Sequence, residues 1–184
     1  MKWFEGRDHS EISTKQISEA ITAIRKREEL DPDVVWSAGS TFKNLLLTED
    51  EFETLYKNVK KNYGDEVVRE LLELKDKFAS VEELYKSQTG VAEIDKGAKI
   101  KIPTAFIMDR VMNLKGTSVG DAAISDKQAI TIVNRGNATS EDVMKLFKKI
   151  RQLIYSMTGM KVTNEPEFMG FSQEELDYYF DLEK

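Results

Sequence analysis

The chain has 184 residues, of which 40% are hydrophobic and 33% are charged, and none is cysteine. This length suits a single domain, while the lack of cysteine excludes a disulfide framework, a cysteine-based zinc site and thiol catalysis. The formal net charge is −6, from 27 Lys and Arg against 33 Asp and Glu. Such a balance argues against non-specific nucleic-acid binding, because that binding draws its free energy from neutralising phosphates.

The sequence predicts neither a membrane span nor a secretion signal. Its apolar runs are shorter than the roughly 18 residues that span a bilayer, and residues 1–8 become charged before a signal-peptide core begins. We therefore predict a soluble, cytoplasmic protein with no membrane partner.

The chain begins with a predicted amphipathic helix over residues 13–29. Its apolar residues recur at helical spacing, and Ser13 with Gln16 three positions later forms a capping box. Because the residue before a proline is disfavoured in a helix, Asp31-Pro32-Asp33 ends it. The apolar stretch Val34-Val35-Trp36 then predicts a strand.

Residues 48–86 are predicted to be helical and heavily charged. Gly64 separates two helices, Ser80 begins a third, shorter one, and the polar residues 88–97 predict a loop. We predict that residues 48–98 form a helical insertion or lid within the single domain of this chain.

The next part of the chain is predicted to hold one helix and two strands. Pro103 suits the first position of a helix, where its missing N–H would be unpaired anyway. The predicted apolar side of this helix comprises Ala105, Phe106, Met108 and Met112. Residues 117–124 and 129–133 are short and β-branched, which is typical of strands, and residues 134–137 predict a turn.

The longest predicted helix covers residues 140–158 and is ended by Gly159. Residues 160–163 and 168–169 are predicted as edge or closing strands, and a last amphipathic helix begins at Ser172. Since helices and short strands interleave without a regular βαβ repeat, we predict an α+β fold with a small mixed sheet.

Most chemically suggestive residues have an ordinary structural explanation. His9 is the only histidine and lacks partner ligands for a metal, and Arg25-Lys26-Arg27 suits the solvated end of a helix. The sequence shows no phosphate-binding loop, no dinucleotide-binding glycine motif and no metal signature. We therefore predict no metal site.

Two segments suggest a functional site. Residues 38–44 combine a glycine, two hydroxyls, a lysine and an asparagine after the predicted strand, which suits either an anionic ligand or an ordinary turn. Glu165-Pro166-Glu167 places a carboxylate directly before the apolar Phe168-Met169. Partial desolvation there would suit a proton donor, and the alternative is a solvated glutamate at a strand end.

These two segments belong to a series of four that occur in a fixed order. They are Gly39-Ser40-Thr41-Phe42-Lys43-Asn44, then Leu114-Lys115-Gly116 with Gly120, then Asn134 to Val143, then Glu165-Pro166-Glu167. The series resembles the C-terminal half of the UDP-N-acetylenolpyruvoylglucosamine reductases, also called UDP-N-acetylmuramate dehydrogenases. The resemblance covers about residues 15–44 and 102–170, and the four segments together are specific where each alone is weak.

The resemblance implies an enzyme that reduces the enolpyruvyl double bond of a UDP-sugar in peptidoglycan precursor synthesis. It implies that Ser40 is the proton donor and that Glu167 stabilises or protonates the enol intermediate. Asn44, Lys115 and Gln128 resemble substrate-contacting positions, and Lys115 would supply positive charge for a diphosphate. The candidates for a tyrosine that closes over the substrate are Tyr56, Tyr63 and Tyr85.

The resemblance also implies that NADPH reduces FAD and that FAD passes a hydride to the substrate. FAD is expected on a domain absent from residues 1–184, which would then form only the substrate-binding domain. The implied partners are a UDP-sugar and a separate or upstream FAD-binding domain. Without that domain we expect no reductase activity.

Two other functions stay open on the sequence. A non-catalytic binding or regulatory module is favoured by Leu45, where most family members have proline, and by Met169, where arginine is usual. A helical interaction protein would instead use residues 48–86 as a partner-binding hairpin.

Overall fold

The structure is a computed structural model that describes residues 12–27, 31, 33, 35–77 and 100–181. Its helices are α1 Thr14–Arg27, α2 Glu49–Asn62, α3 Asp65–Lys77, the short α4 Thr104–Phe106 with a π-helical turn over Ile107–Val111, α5 Ser140–Thr158 and α6 Gln173–Phe180. Its strands are β1 Ser37–Ser40, β2 Leu45–Leu47, β3 Ile100–Ile102, β4 Ser118–Val119, β5 Ala122–Ile124 and β6 Thr131–Asn134. The predicted α+β class is confirmed.

A four-stranded sheet with the order β1-β6-β5-β4 organises the fold. Ser40 lies opposite Thr131, and Ile124 lies opposite Ile132. With the separate pair of β2 and β3, every pair among the described strands is antiparallel, whereas the sequence favoured a mixed sheet. Because antiparallel neighbours run in opposite directions, the ends of β1 and β5 and the starts of β6 and β4 lie at one end of the sheet.

One hydrophobic core joins the helices to both sheets. The fully buried residues of α2 and α5 include Phe52, Leu55, Val59, Leu146, Phe147, Ile150 and Ile154. Each such side chain contributes about 1.5–3 kcal/mol relative to an exposed position. Helix α1 is covered less completely than its pattern predicts, because Ala20 is buried while Ile17 and Ile21 are 41% and 49% exposed.

The predicted helix boundaries are confirmed where local capping sets them. Reciprocal capping boxes are formed by Ser13 with Gln16, Thr48 with Glu51, Thr139 with Asp142 and Ser172 with Glu175. Helix α5 occupies the predicted residues 140–158, and Gly159 follows it in the left-handed conformation at φ +76°.

Gly159→Ala is expected to destabilise the protein by about 1–2 kcal/mol, because a Cβ is strained at a positive φ. The added Cβ would also lie 3.3 Å from Nδ2 of Asn58, which donates to the carbonyl of Thr158. Asparagine tolerates this backbone conformation better than alanine, so Gly159→Asn is expected to cost less despite its larger side chain. Urea unfolding measures both variants, and a larger loss for Gly159→Asn would mean that crowding rather than φ is decisive.

Two predicted strands in the sheet lie differently from their prediction. The strand predicted at residues 34–36 begins instead at Ser37, and Trp36 before it is 71% exposed. The single strand predicted over residues 117–124 is a hairpin, because Gly120 turns the chain at φ +52° between β4 and β5. Strands of two to four residues are too short to show an alternating pattern.

The predictions after α5 and around Pro103 also need correction. Residues 160–163 and 168–169 form no strand, although the neighbouring Asn164 makes an isolated antiparallel bridge with Phe42. Pro103 is the N-cap of α4 rather than its first helical residue. The buried residues of the following turn are Ile107, Met108 and Val111, while Ala105, Phe106 and Met112 are only partly buried.

The predicted insertion is described only in part. Helices α2 and α3 pack into the common core through Leu55, Val68 and Leu71, among others. The third helix from Ser80 and the loop at residues 88–97 lie outside the described residues, as does His9. The role of residues 48–98 as a lid stays a prediction. Within the described ranges, no helix has the length and apolar character needed to cross a membrane.

Candidate functional site

Ser40, the predicted proton donor, is exposed at the end of the edge strand β1. This strand carries one residue more than β6 between two paired positions, since Ser37 pairs with Val133 and Ser40 with Thr131. Gly39 at φ +72° supplies the left-handed conformation typical of such a bulge. Because a bulge re-aims the residues beside it, the strand ends with a hydroxyl at the open edge of the sheet.

Thr41 joins this edge to residues 162–167, which we call the acidic segment. The carbonyl of Thr41 accepts from Glu165 N–H at 3.0 Å, and Lys43 N–H donates to the carbonyl of Thr163 at 2.9 Å. These hydrogen bonds make the two segments antiparallel. Two parts of the chain that are remote in sequence therefore meet directly beside Ser40.

The two glutamates of the acidic segment differ in how they are held. Glu165 lies opposite Thr41, one residue from Ser40, whereas Glu167 lies two residues beyond that hydrogen bond. Both side chains are exposed. The structure thus brings the segment that contains the predicted acid, Glu167, beside Ser40. The glutamate whose backbone is hydrogen-bonded to Thr41 is, however, Glu165.

Of the two alternatives for Glu167, the structure favours the solvated one over partial desolvation, because its side chain is exposed. Phe168 turns inward, with its ring centroid 5.2 Å from that of Phe147. Met169, by contrast, is 88% exposed, and so is much of Glu167. The segment after the proline is not a buried strand, and it leaves the Glu167 side chain exposed.

Gln128 lies half-buried in the loop between β5 and β6, close to Ser40. The fully buried hydroxyl of Ser125 accepts from the N–H groups of Lys127 and Gln128, at 3.0 and 3.1 Å. The carbonyl of Gln128 accepts from the N–H of Thr131, the residue opposite Ser40. This compact turn therefore places Gln128 at the same end of the sheet as the serine.

Lys115 lies before β4, at the same end of the sheet. The N–H of the following Gly116 donates to the carbonyl of Ile124 at 3.0 Å, which ties this turn to the end of β5. The Lys115 Nζ lies 2.7 Å from Oδ2 of Asp109, and both side chains are about one-third exposed. Solvent screens such a pair, so the ammonium group can be redirected to an anionic ligand at little cost.

Ser40, Gln128 and Lys115 thus line one end of the sheet, but Ser40 and Lys115 stand on its opposite edges. Strands β6 and β5 lie between them, and neighbouring strands are about 4.8 Å apart. Three such spacings put their backbones roughly 14 Å apart. A ligand that touches both must be long, as a nucleotide sugar is.

Asn44 is placed by contacts of a different kind. Its Oδ1 accepts from the N–H of Thr104 at 3.3 Å, and the buried Thr104 hydroxyl donates to the carbonyl of Lys43 at 2.7 Å. These bonds fix Asn44 against the start of α4. With its oxygen engaged, the amide nitrogen is the group that Asn44 can offer to a ligand.

The candidate lid tyrosines are unequal. Tyr56 and Tyr63 are half-buried against the core, and burial raises the pKa of the Tyr63 hydroxyl. Tyr85 lies outside the described residues. The choice of a lid residue therefore stays open.

One residue near the site has no counterpart in the sequence analysis. Arg151 lies half-buried on α5 and donates to the carbonyl of Val162 and to Oδ1 of Asn164, at 2.7 and 3.3 Å. The sequence could have indicated Arg151, because it lies four residues after Phe147 and therefore on the inward face of an amphipathic helix. Among the described residues, no three metal-ligating side chains converge.

Comparison with known proteins gives one consistent result. The family model described as the C-terminal domain of UDP-N-acetylenolpyruvoylglucosamine reductase matches residues 31–169. A reductase of that name from Flavobacterium johnsoniae is 27% identical over 156 residues, covering 85% of this chain and 38% of the relative.

Two further relatives carry the same name. The protein of Shewanella sediminis is 27% identical over 170 residues, covering 92% of this chain and 41% of its own length. That of Burkholderia lata is 29% identical over 154 residues, covering 84% and 36% respectively. The chain spans about two fifths of the length of the curated relatives that it matches.

Proposed function

Since this chain belongs to the UDP-N-acetylenolpyruvoylglucosamine reductase family, through its C-terminal domain, we propose that it forms the substrate-binding and proton-donating part of such an enzyme. The substrate is a UDP-N-acetylglucosamine that carries an enolpyruvyl group. The proposal places the protein in the cytoplasmic synthesis of peptidoglycan precursors and in an NADPH-dependent flavin oxidoreductase.

One observation carries this proposal: hydroxyl, amide, ammonium and carboxylate groups lie together at one end of the four-stranded sheet. Ser40 and the acidic segment are joined there through Thr41, Gln128 lies in the loop between β5 and β6, and Lys115 lies in the turn before β4. The row is long enough for a nucleotide sugar, with the Lys115 ammonium at one edge and the Ser40 hydroxyl at the other.

In a complete enzyme, FAD reduced by NADPH would supply the hydride chemistry that the side chains of this chain cannot. The polar residues at the end of the sheet suit the binding of the UDP-sugar. We propose that FAD is held by a domain outside this chain. Among the described strands β1 is an edge strand, and Ser40 on it is exposed, which suits the approach of such a domain from that side.

The role of this chain is to supply a proton and to stabilise charge. Hydride addition to one carbon of the double bond builds negative charge on the rest of the enolpyruvyl group. We propose that the Ser40 hydroxyl gives its proton to the neighbouring carbon, forming the second new C–H bond. A carboxyl group of the acidic segment, assigned by resemblance to Glu167, stabilises or protonates the enol form.

The remaining predicted residues would bind rather than react. Lys115 would meet the diphosphate, because the ion pair that its ammonium makes with Asp109 is screened by solvent. Asn44 and Gln128 would offer amide groups to the sugar part of the substrate.

Calorimetry with the enolpyruvyl UDP-sugar is expected to show binding to the isolated chain. Lys115→Met is expected to lower the affinity about tenfold or more, because a charge-assisted hydrogen bond contributes about 1.5–3 kcal/mol. The control is Lys57→Met, which removes an exposed charge from α2 and should leave the affinity unchanged. Equal effects of both substitutions would mean that Lys115 acts only through the net charge.

A second candidate function is a non-catalytic binding or regulatory module. Met169 favours it, because an exposed methionine stands where the family usually has an arginine that can pair with the substrate carboxylate. The absence of any heat with the enolpyruvyl UDP-sugar would support this module and contradict the first proposal.

A further inference from the structure

The register of the acidic segment depends on few backbone contacts. The segment meets the chain after β1 through an isolated bridge between Phe42 and Asn164, flanked by the hydrogen bonds of Lys43 and Glu165. A shift of one residue in such a pair turns every side chain to the opposite face. A short, isolated pair therefore needs a further contact to fix which carboxylate lies beside the serine.

Arg151 contacts the acidic segment at the paired residue Asn164 and at Val162, two residues before it. Its guanidinium donates to the carbonyl of Val162 at 2.7 Å and to Oδ1 of Asn164 at 3.3 Å. The second of these partners is the residue that pairs with Phe42. Because the guanidinium group is planar and rigid, two such bonds define the position of the segment along α5.

The same guanidinium also holds the C-terminal helix. It donates to the carbonyl of Phe180 at 3.1 Å and lies over the Phe180 ring, 5.4 Å from its centroid. Burial lowers the pKa of Arg151, and its buried Nε has no hydrogen-bond partner among the described residues. Burying a charged side chain is costly, and Arg151 makes three hydrogen bonds to two separate segments. These contacts indicate that it holds the two segments in place.

We propose that Arg151 is a positioning residue that fixes the register of the acidic segment against Thr41–Lys43 and so determines which carboxylate lies beside Ser40. The proposal that Arg151 fixes the register does not depend on the proposed function. Only the consequence for substrate binding rests on the proposed function. Helix α6 contributes to the same arrangement, because the carbonyl of its last residue, Phe180, accepts the third hydrogen bond of Arg151.

The chain offers a matched control in Lys148, one turn earlier on α5. Its Nζ donates to the carbonyl of Tyr178 at 2.8 Å and lies over the Tyr178 ring, 3.8 Å from its centroid. Lys148 therefore holds α6 as Arg151 does, and these contacts do not involve Val162 or Asn164. Lys148→Met loosens the helix without removing the contacts to the acidic segment.

Amide hydrogen exchange of the unliganded protein tests the register directly. In Arg151→Met, the amides of Glu165 and Lys43 are expected to exchange about tenfold faster or more, because their hydrogen bonds open locally. The amides of Ile124 and Thr131 in the sheet should keep their protection, and Lys148→Met should leave all four unchanged. Unchanged exchange at Glu165 and Lys43, or an equal change in Lys148→Met, would overturn the proposal.

If Arg151→Met does not fold, Arg151→Lys provides the same test. Lysine keeps the charge but cannot make the three hydrogen bonds in one plane, so we expect intermediate exchange at Glu165 and Lys43. Wild-type protection at both amides in a folded Arg151→Lys protein would overturn the proposal equally.

The functional consequence is tested with two ligands, the enolpyruvyl UDP-sugar and UDP-N-acetylglucosamine. Arg151→Met is expected to lower the affinity ratio between them about tenfold, because only the enolpyruvyl group reaches the acidic segment. A merely structural role would weaken both ligands alike and would contradict the positioning of the carboxylate. If neither ligand binds the wild-type chain, the proposed function fails, while hydrogen exchange still decides the role of Arg151.

Discussion

Ser40→Ala is expected to lower turnover by about 10²–10⁴-fold in an enzyme that contains this chain, because it removes the proposed proton donor. The assay replaces the matched region of the Flavobacterium johnsoniae reductase with this chain and follows NADPH oxidation that depends on the enolpyruvyl UDP-sugar. The substrate affinity should change little, because a single neutral hydroxyl contributes only about 0.5–1.5 kcal/mol to binding.

The same enzyme distinguishes the two carboxylates of the acidic segment. The resemblance assigns the role to Glu167, whereas the hydrogen bond to Thr41 holds Glu165 next to Ser40. We expect one of Glu165→Gln and Glu167→Gln to lower turnover as Ser40→Ala does, and the other to serve as its matched control. Full turnover in both glutamine variants would contradict the participation of this segment.

The isolated chain is the negative control for this assay. With added FAD, NADPH and the enolpyruvyl UDP-sugar, it is expected to oxidise no NADPH, because its side chains cannot carry a hydride. Substrate-dependent NADPH oxidation by the chain alone would contradict the proposal that FAD belongs to a separate domain.

Phe147→Ala is expected to have the largest effect on stability, a loss of about 3–5 kcal/mol in the free energy of unfolding. The ring is fully buried, and its centroid lies 5.4 Å from Phe42, 5.2 Å from Phe168 and 6.4 Å from Phe180. Truncation leaves a cavity where the chain after β1, the acidic segment and α6 meet. Since domains of this size have a total stability of about 5–15 kcal/mol, the loss is severe.

Phe171→Ala is the matched control for this prediction. Phe171 is half-buried, and its ring meets that of Phe168 at 6.4 Å, near the surface end of the same aromatic cluster. Its truncation should cost about 1 kcal/mol, the usual effect of a substitution outside the core. Urea unfolding followed by circular dichroism compares the two, and equal losses would show that Phe147 is not the centre of the cluster.

The helices were predictable because their signals are local. The apolar repeat and the caps of α5 lie within about twenty residues, and Thr139 and Gly159 mark its two ends. The same holds for α2, whose capping box and buried stripe are formed by neighbouring residues. Neither requires knowledge of what the helix packs against.

The short strands and the loops of the site were not predictable in the same way. β1 begins three residues later than expected, because its pairing with β6 rather than its hydrophobicity defines it, and all four of its residues are exposed. The residues after Gly159 look like strands but are held by one bridge to Phe42 with its two flanking hydrogen bonds, by Arg151 and by core packing. A strand exists only through its partner, and the sequence does not specify the partner.

The sequence alone determined the helices, their caps, the α+β class and the family to which this chain belongs, because periodicity, capping and motif order are properties of consecutive residues. Only the tertiary structure decided that the sheet is antiparallel, that Ser40 meets Glu165 through Thr41, and that Arg151 holds the acidic segment. These features arise from hydrogen bonds between residues more than a hundred positions apart or between separate elements. Their register is set by packing in three dimensions and leaves no pattern along the chain.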